Sequence, residues 1–155
     1  AYIMESDGVA RNLPSSSSEL YYERGTIVSM VSSSKGNTFE PINFVVSSST
    51  YQDKRAYGVY MGSHDWDSDD PEYHIDRVDK HKIASIGDGF VLVNNQGGDI
   101  EIGDYITTAS GSGGYGCKQS DDLLHNYTVA KATDSVTWSE HSGSIKLLAC
   151  TYHCG

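Results

Sequence analysis

The sequence predicts an all-β protein, and three observations support that prediction. The 155 residues include 11 tyrosines and 16 glycines; tyrosine favours strands, whereas glycine favours tight turns. Short apolar runs, separated by Gly-Asp and Asn-Gly-like sequences, recur along the chain, which is typical of a sandwich or a barrel. No stretch has the spacing of a convincing amphipathic helix. We therefore expect one β-domain, residues 1–155, with about ten short and mostly antiparallel strands.

The expected elements follow one another with short connections. Residues 1–24 would hold an N-terminal strand and a Ser-rich loop that leads into the domain. Further strands are expected at Thr26–Val31, Ile42–Val46, Ala56–Gly62, Gly89–Asn94, Asp104–Thr108, Tyr127–Ala132 and Ser144–Tyr152. The best helix candidate is Ser120–Tyr127, which is long enough for about two turns at most.

The last expected strand is apolar on both of its faces. Leu147 and Ala149 share one face, and Leu148 and Cys150 share the other, because successive side chains of a strand alternate. Such a strand is expected in the middle of a sheet or at an interface.

Negative charge excludes two classes of partner. Acidic residues outnumber basic ones by 21 to 11, and the formal net charge is -10. This surface repels nucleic-acid backbones and anionic membranes. No apolar run approaches the roughly 20 residues of a membrane-spanning helix. The chain begins with Ala1 and not with Met, as expected of a fragment or a processed product.

The three cysteines are an odd number, which is a poor basis for a disulfide framework. In a strand, Cys150 and Cys154 would lie roughly 13 Å apart, too far to bridge. We expect free thiols in a reducing compartment. The alternative is a zinc site built from Cys150, His153 and Cys154, although no second Cys/His pair has ligand spacing.

The glycine-rich segment Ser110–Lys118 superficially resembles a phosphate-binding loop. It lacks the Gly-Lys-Ser/Thr ending, and no strand-to-helix transition follows it. We instead expect a hairpin or a wide turn in which glycine supplies positive φ angles and Lys118 begins the returning strand.

An acidic loop is the candidate for cation binding. Asp65, Asp67 and Asp69 alternate, and Asp76 occupies the twelfth place of a would-be calcium loop. The sixth place holds aspartate and not glycine, and no helices flank the segment, so an EF-hand is not expected. A looser site for a divalent cation and a solvated acidic loop remain as alternatives, and no other cofactor is expected.

The block from Ile100 to Ala132, IEIGDYITTASGSGGYGCKQSDDLLHNYTVAKA, carries a resemblance to a known family. Together with the preceding GFVLVNNQGGDIEIGD and the final IKLLACTYHCG, it resembles the C-terminal β-domain of viral fibre and neck-appendage proteins. AYGVYMG, AYIMESDG and ERGTIVSMV are similar to upstream blocks of that domain. The resemblance covers nearly the whole chain and is more specific in its second half.

The resemblance implies a virion structural protein, made in the host cytoplasm, at the C-terminal or distal end of a fibre or appendage. Three copies would associate, follow an upstream fibre shaft and aid trimer assembly. If the acidic loop lies at the tip, Trp66 and Tyr73 would stack on a host-surface receptor or its glycan. The alternative is that Trp66 packs its own loop onto the domain.

The resemblance also implies an enzymatic alternative, an intramolecular chaperone that cleaves itself once. The matching bond is Ser6–Asp7. Glu5 and Glu23 are the acidic residues nearest to the family's activating glutamate, which an insertion displaces here. An activated side chain could attack the neighbouring carbonyl in a single turnover. A capsid decoration protein is a second alternative, because such proteins are also small β-domains rich in Gly and Asp.

Overall fold

The computed structural model describes residues 2–4, 23–34, 42–63 and 81–154. Within these ranges the protein is all-β, as expected, and contains no helix. The strands are β1 (Tyr2–Met4), β2 (Ile27–Ser34), β3 (Ile42–Ser47), β4 (Ala56–Ser63), β5 (His81–Asn94), β6 (Tyr105–Thr108), β7 (Gly116–Lys118), β8 (Thr128–Ala132) and β9 (Ile145–His153).

Five strands form a closed barrel in the order β5-β7-β6-β8-β9, because β9 pairs back onto β5. The β5–β7 pairing is parallel and rests on Val93 opposite Gly116. The other four pairings are antiparallel. Closure joins the long strands β5 and β9 over nine residue pairs, from Ile86–His153 to Asn94–Ile145.

The first half of β5 carries a second group of strands outside the barrel. It pairs with β4 and with β1, and the sheet continues from β4 through β2 to β3. The 14 residues of β5 therefore belong to both parts of the fold. Because Val59 pairs with Ala84 and Ile86 pairs with His153, the change from one part to the other occurs within a few residues.

Two clusters of buried apolar side chains form the core, and the larger one extends from the barrel to Ile27 of β2 and Val59 of β4. The larger fills the barrel and includes Val91, Ile106, Val129 and Leu148, each fully buried. The smaller lies between β2, β3, β4 and β5. It consists of Val28, Val45, Tyr60 and Ile83, with Tyr57 packed against it.

Tyr152 of β9 binds the backbone of β5 at Phe90, in the half of β5 that belongs to the barrel. Its hydroxyl accepts a hydrogen bond from the Phe90 N–H at 2.8 Å and donates one to the Phe90 carbonyl at 2.6 Å. The ring lies against Gly89, where any side chain would overlap it. Burial raises the pKa of Tyr152 to about 12, so the hydroxyl stays protonated and can donate at neutral pH.

The glycine-rich segment forms the expected hairpin turn between β6 and β7. Gly111, Gly113 and Gly114 have positive φ angles, which glycine adopts without strain. The returning strand begins at Gly116 and ends at Lys118, so Lys118 is the last residue of this strand and not its first.

The helix candidate Ser120–Tyr127 is a loop in the structure. Gln119, Asp121 and Thr128 hydrogen-bond its backbone, so local side-chain acceptors and donors replace the helical pattern.

Candidate functional site

Most of the predicted site residues lie outside the part of the chain that the structure describes. These are Glu5, Ser6, Asp7, Asp65, Trp66, Asp67, Asp69 and Tyr73. Glu23 is described: it is exposed in the turn before β2, and its carbonyl accepts a hydrogen bond from the Thr26 N–H at 3.1 Å.

The three zinc-ligand candidates are not brought together. Cys150 is buried on the inner side of β9, and Cys154 is buried directly after the strand, whereas His153 is exposed on the outer side. The His153 ring packs edge-on against Tyr105, with ring centres 6.0 Å apart. Among the residues described, no group of three or more His, Cys, Asp or Glu side chains could hold a metal ion.

All three cysteines are free and buried thiols. Burial raises the pKa of Cys117 to about 11 and the pKa of Cys150 and Cys154 to about 12. Since the thiolate is the reactive form, these side chains are inert in the folded protein.

A polar depression near the start of β9 offers no catalytic pair. It is lined by Ser135, Thr137, Glu140, His141 and Lys146, among others. The Nε2 atom of His141 lies 2.9 Å from the Ile145 carbonyl. The ammonium of Lys146 bonds to the Ser135 carbonyl and pairs with Asp134. Both side chains are therefore engaged in local structure.

The most distinctive surface is the outer side of β5 and β9. We call it the β5/β9 face and define it by Ile86, Phe90, Ile145, Leu147 and Ala149. Phe90 is 50% exposed and Leu147 is 47% exposed. The opposite side of β9 is buried through Leu148 and Cys150. Strand β9 is thus apolar on both faces and is paired on both edges, as the sequence indicates.

The β5/β9 face is bounded by a turn at one end and is interrupted by a carboxylate. The turn at Gly25 packs against Leu147 and covers Leu92. Asp88 is exposed on the same outer side, between Ile86 and Phe90, and together with Thr133 it helps to line a groove beside Phe90 and Ala149. The apolar surface is therefore limited in size and is interrupted by one acidic side chain.

A cation lies on the same outer side, on β8. Lys131 pairs with Thr151 of β9, which in turn pairs with Asp88 of β5. The Lys131 ammonium lies 5.6 Å from the ring centre of Tyr105. Within the described part of the chain it forms no ion pair.

A second apolar surface projects from the loop between β7 and β8. We call residues 119–128 the Leu123–Leu124 loop. Leu123 is 64% exposed and Leu124 is 61% exposed. Next to them, Asp122 is exposed and forms no ion pair with a described residue.

The buried amide of Gln119 holds this loop in shape. Its nitrogen donates to the Leu123 carbonyl at 2.6 Å and to Asp121 Oδ1 at 3.0 Å, and its oxygen accepts from the Thr128 hydroxyl at 2.6 Å. Asp121 also contacts His125 Nε2 at 3.0 Å. The hydrogen bond from His125 holds the pKa of Asp121 below its usual value.

Stacking completes the loop. The His125 ring lies on the Tyr127 ring, with centres 4.6 Å apart. The two leucines are thus carried by a loop whose polar groups are largely satisfied internally. The sequence analysis missed this surface, although two adjacent leucines within a polar loop were the available signal.

In the part of the chain that the structure describes, no helix is long and apolar enough to cross a membrane. No protein-family model matches the chain, and no curated protein or solved structure is significantly similar to it.

Proposed function

We propose that this chain is the C-terminal or distal domain of a homotrimeric viral fibre or appendage. It would be a virion structural protein that follows a fibre shaft and aids assembly of the trimer. The single observation that carries the proposal is the uncovered β5/β9 face. The resemblance of Ile100–Ala132 to such domains agrees with it.

The size of the β5/β9 face fits an interaction surface. Four large side chains, Ile86, Phe90, Ile145 and Leu147, each leave about half of their surface in water. Together they expose on the order of 300 Å² of apolar area, about the size of the largest patch on an ordinary monomer, which is often functional. A stable interface buries about 800 Å² on each partner. The face would therefore form the centre of a larger interface.

Charge explains why the contact should be apolar. A net charge of -10 on each chain opposes close approach of identical copies. The five residues that define the β5/β9 face are uncharged, although β5 places the exposed Asp88 between Ile86 and Phe90. Association through the apolar residues of this face would bring few acidic groups into the contact. The proposal extends to the Asp65–Asp69 loop, which lies outside the described residues. In the proposed assembly that loop would face the host receptor or bind a divalent cation.

The remaining parts of the proposal are architectural. We take residues 1–155 as one β-domain of about ten strands, of which the barrel and its extension are the described part. This arrangement is compatible with a capping domain at a fibre end, because barrel closure removes free sheet edges that would otherwise aggregate.

A charge placed on the β5/β9 face tests the proposal. We expect Phe90→Asp to weaken trimer formation about thirtyfold or more, because it places an unpaired carboxylate at the centre of an apolar contact. The measurement is sedimentation equilibrium over a concentration series. The matched control is Ile102→Asp, at a 72% exposed apolar residue in another loop, which should leave association unchanged. Equal association of Phe90→Asp and wild type would overturn the proposal.

A further inference from the structure

We infer that Asp88 of one copy forms an ion pair with Lys131 of the next copy at the rim of the trimer contact. The inference rests on the proposed trimer and adds the polar contact that determines how neighbouring copies meet. All three copies would use the same surface, which consists of the β5/β9 face and the two charged residues next to its apolar side chains.

The two charges occupy matching positions on the outer side of the barrel. Strand β9 lies between β5 and β8. Asp88 of β5 and Lys131 of β8 both pair with Thr151 of β9, and both are exposed. They therefore stand in one row across the three strands, on opposite flanks of β9 and two strand spacings, about 10 Å, apart.

Neither charge has a partner of opposite sign in its own chain. Among the described residues, neither Asp88 nor Lys131 forms an ion pair. The Lys131 ammonium lies 5.6 Å from the centre of the Tyr105 ring. Tyr105 belongs to β6, which pairs with β8 on the side away from β9. The ammonium is thus directed away from Asp88 of the same chain.

Three-fold symmetry brings the two flanks together. When three copies turn the β5/β9 face towards a common axis, the flank on one side of each face meets the opposite flank of the next copy. The β5 flank carries Asp88, and the β8 flank carries Lys131, so each of the three contacts joins opposite charges. Because the two residues share a row, they lie at similar heights, and the flexible lysine stem covers the offset that strand tilt introduces.

The pair also removes a cost that Asp88 would otherwise bring to the contact. An exposed carboxylate between Ile86 and Phe90 opposes the approach of chains whose net charge is already -10. In β8, Lys131 is the one exposed residue, so the same surface supplies the matching cation. A charge pair at a rim determines register and partner choice more than affinity.

Removal of the negative charge tests the pairing in the full chain. One exposed ion pair changes association about two- to fivefold, and the ring contains three, so Asp88→Asn should weaken trimer formation roughly tenfold or more. The matched control is Asp122→Asn, which removes the same charge from an exposed residue outside the β5/β9 face. Its trimer should be as tight as wild type or tighter, because net repulsion falls. Sedimentation equilibrium that shows Asp88→Asn to be as tight as wild type would overturn the inference.

A charge exchange provides a second reading. Asp88→Lys and Lys131→Asp should each weaken association, because each places like charges opposite one another. The combination of both substitutions should restore most of the lost association. A double variant that associates no better than either single variant would overturn the inference.

Zero-length cross-linking shows which copies the pair joins. A carbodiimide links a carboxylate to an ammonium that touches it. Wild-type chains labelled with heavy or light nitrogen would be mixed, left to exchange and treated with the reagent. We expect covalent trimers in which the peptide containing Asp88 is joined to the peptide containing Lys131, including pairs with one heavy and one light member. Links within single chains alone, or covalent dimers without trimers, would overturn the inference.

The outcomes separate the inference from the proposed function. Trimers in native mass spectrometry that lack this cross-link and tolerate Asp88→Asn would overturn the inference, yet would leave the proposed trimer intact. Monomers of the wild-type chain would overturn both.

Discussion

At the residue scale, Tyr152 and Gly89 determine how β5 can serve two parts of the fold. The Tyr152 hydroxyl satisfies both polar backbone groups of Phe90. Gly89 leaves the space that the ring needs. The backbone of Phe90 is thereby fixed while its side chain points outward to the β5/β9 face. The Tyr152 hydroxyl, which points into the barrel, thus fixes the backbone of a residue whose side chain belongs to the outer β5/β9 face.

The substitution Tyr152→Phe should lower the free energy of unfolding by about 1–3 kcal/mol, because it leaves a partly buried donor and acceptor without their partner. Chemical denaturation followed by tyrosine and tryptophan fluorescence would measure the change. The matched control is Tyr115→Phe, since the Tyr115 hydroxyl forms no hydrogen bond within the described chain. That control should change stability by less than about 0.5 kcal/mol. Equal stability of the two variants would contradict the role given to Tyr152.

At the scale of elements, the Leu123–Leu124 loop is held by the buried Gln119 amide together with the Asp121–His125 contact. The Gln119 amide is 2% exposed and bonds to the Leu123 carbonyl in the middle of the loop and to the Thr128 hydroxyl at its end. Removing it would leave the Leu123 carbonyl and the Thr128 hydroxyl without these bonds. The loop should then open locally while the barrel remains closed.

We expect Gln119→Ala to cost about 1–3 kcal/mol of stability and to speed amide hydrogen exchange within residues 120–127 more than in β9. Hydrogen-exchange mass spectrometry would measure both regions. Gln96→Ala serves as the control, because Gln96 is exposed and also accepts a bond from a distant backbone N–H, that of Ser110, at 2.8 Å. Uniform exchange changes across loop and barrel would argue against local control by Gln119.

The strands show what the sequence could predict. Runs of alternating or continuous apolar residues located β2, β3, β4, β6, β8 and β9 within about three residues, a usual error for strand ends. The first half of β5 was missed because Gly87-Asp88-Gly89 resembles a turn. In the structure the strand continues through these residues, and Gly89 marks the close approach of Tyr152 instead. Glycine inside a strand can have this second meaning.

The surfaces were harder to predict for a physical reason. The sequence shows that β9 is apolar on both sides, but burial of Leu148 and exposure of Leu147 depend on which side faces the barrel. The outward position of Phe90 follows from the β5–β9 register, which pairs residues far apart in the chain. The projection of Leu123 and Leu124 depends on Gln119, whose hydrogen bonds are not evident from its spacing.

At the scale of the whole molecule, a net charge of -10 and an uncovered apolar face have opposite effects on self-association. Charge favours separate chains, and the effect is screened by salt. Apolar burial favours assembly and does not depend on salt in that way. A trimer joined through the β5/β9 face should therefore become tighter as ionic strength rises.

Native mass spectrometry of the full chain at micromolar concentration tests the central claim most directly, followed by the intact mass of the same sample under denaturing conditions. We predict a trimer of uncut 155-residue chains. A trimer whose chains begin at Asp7 would support the self-cleaving alternative for the same assembly. A monomer at this concentration would contradict the account.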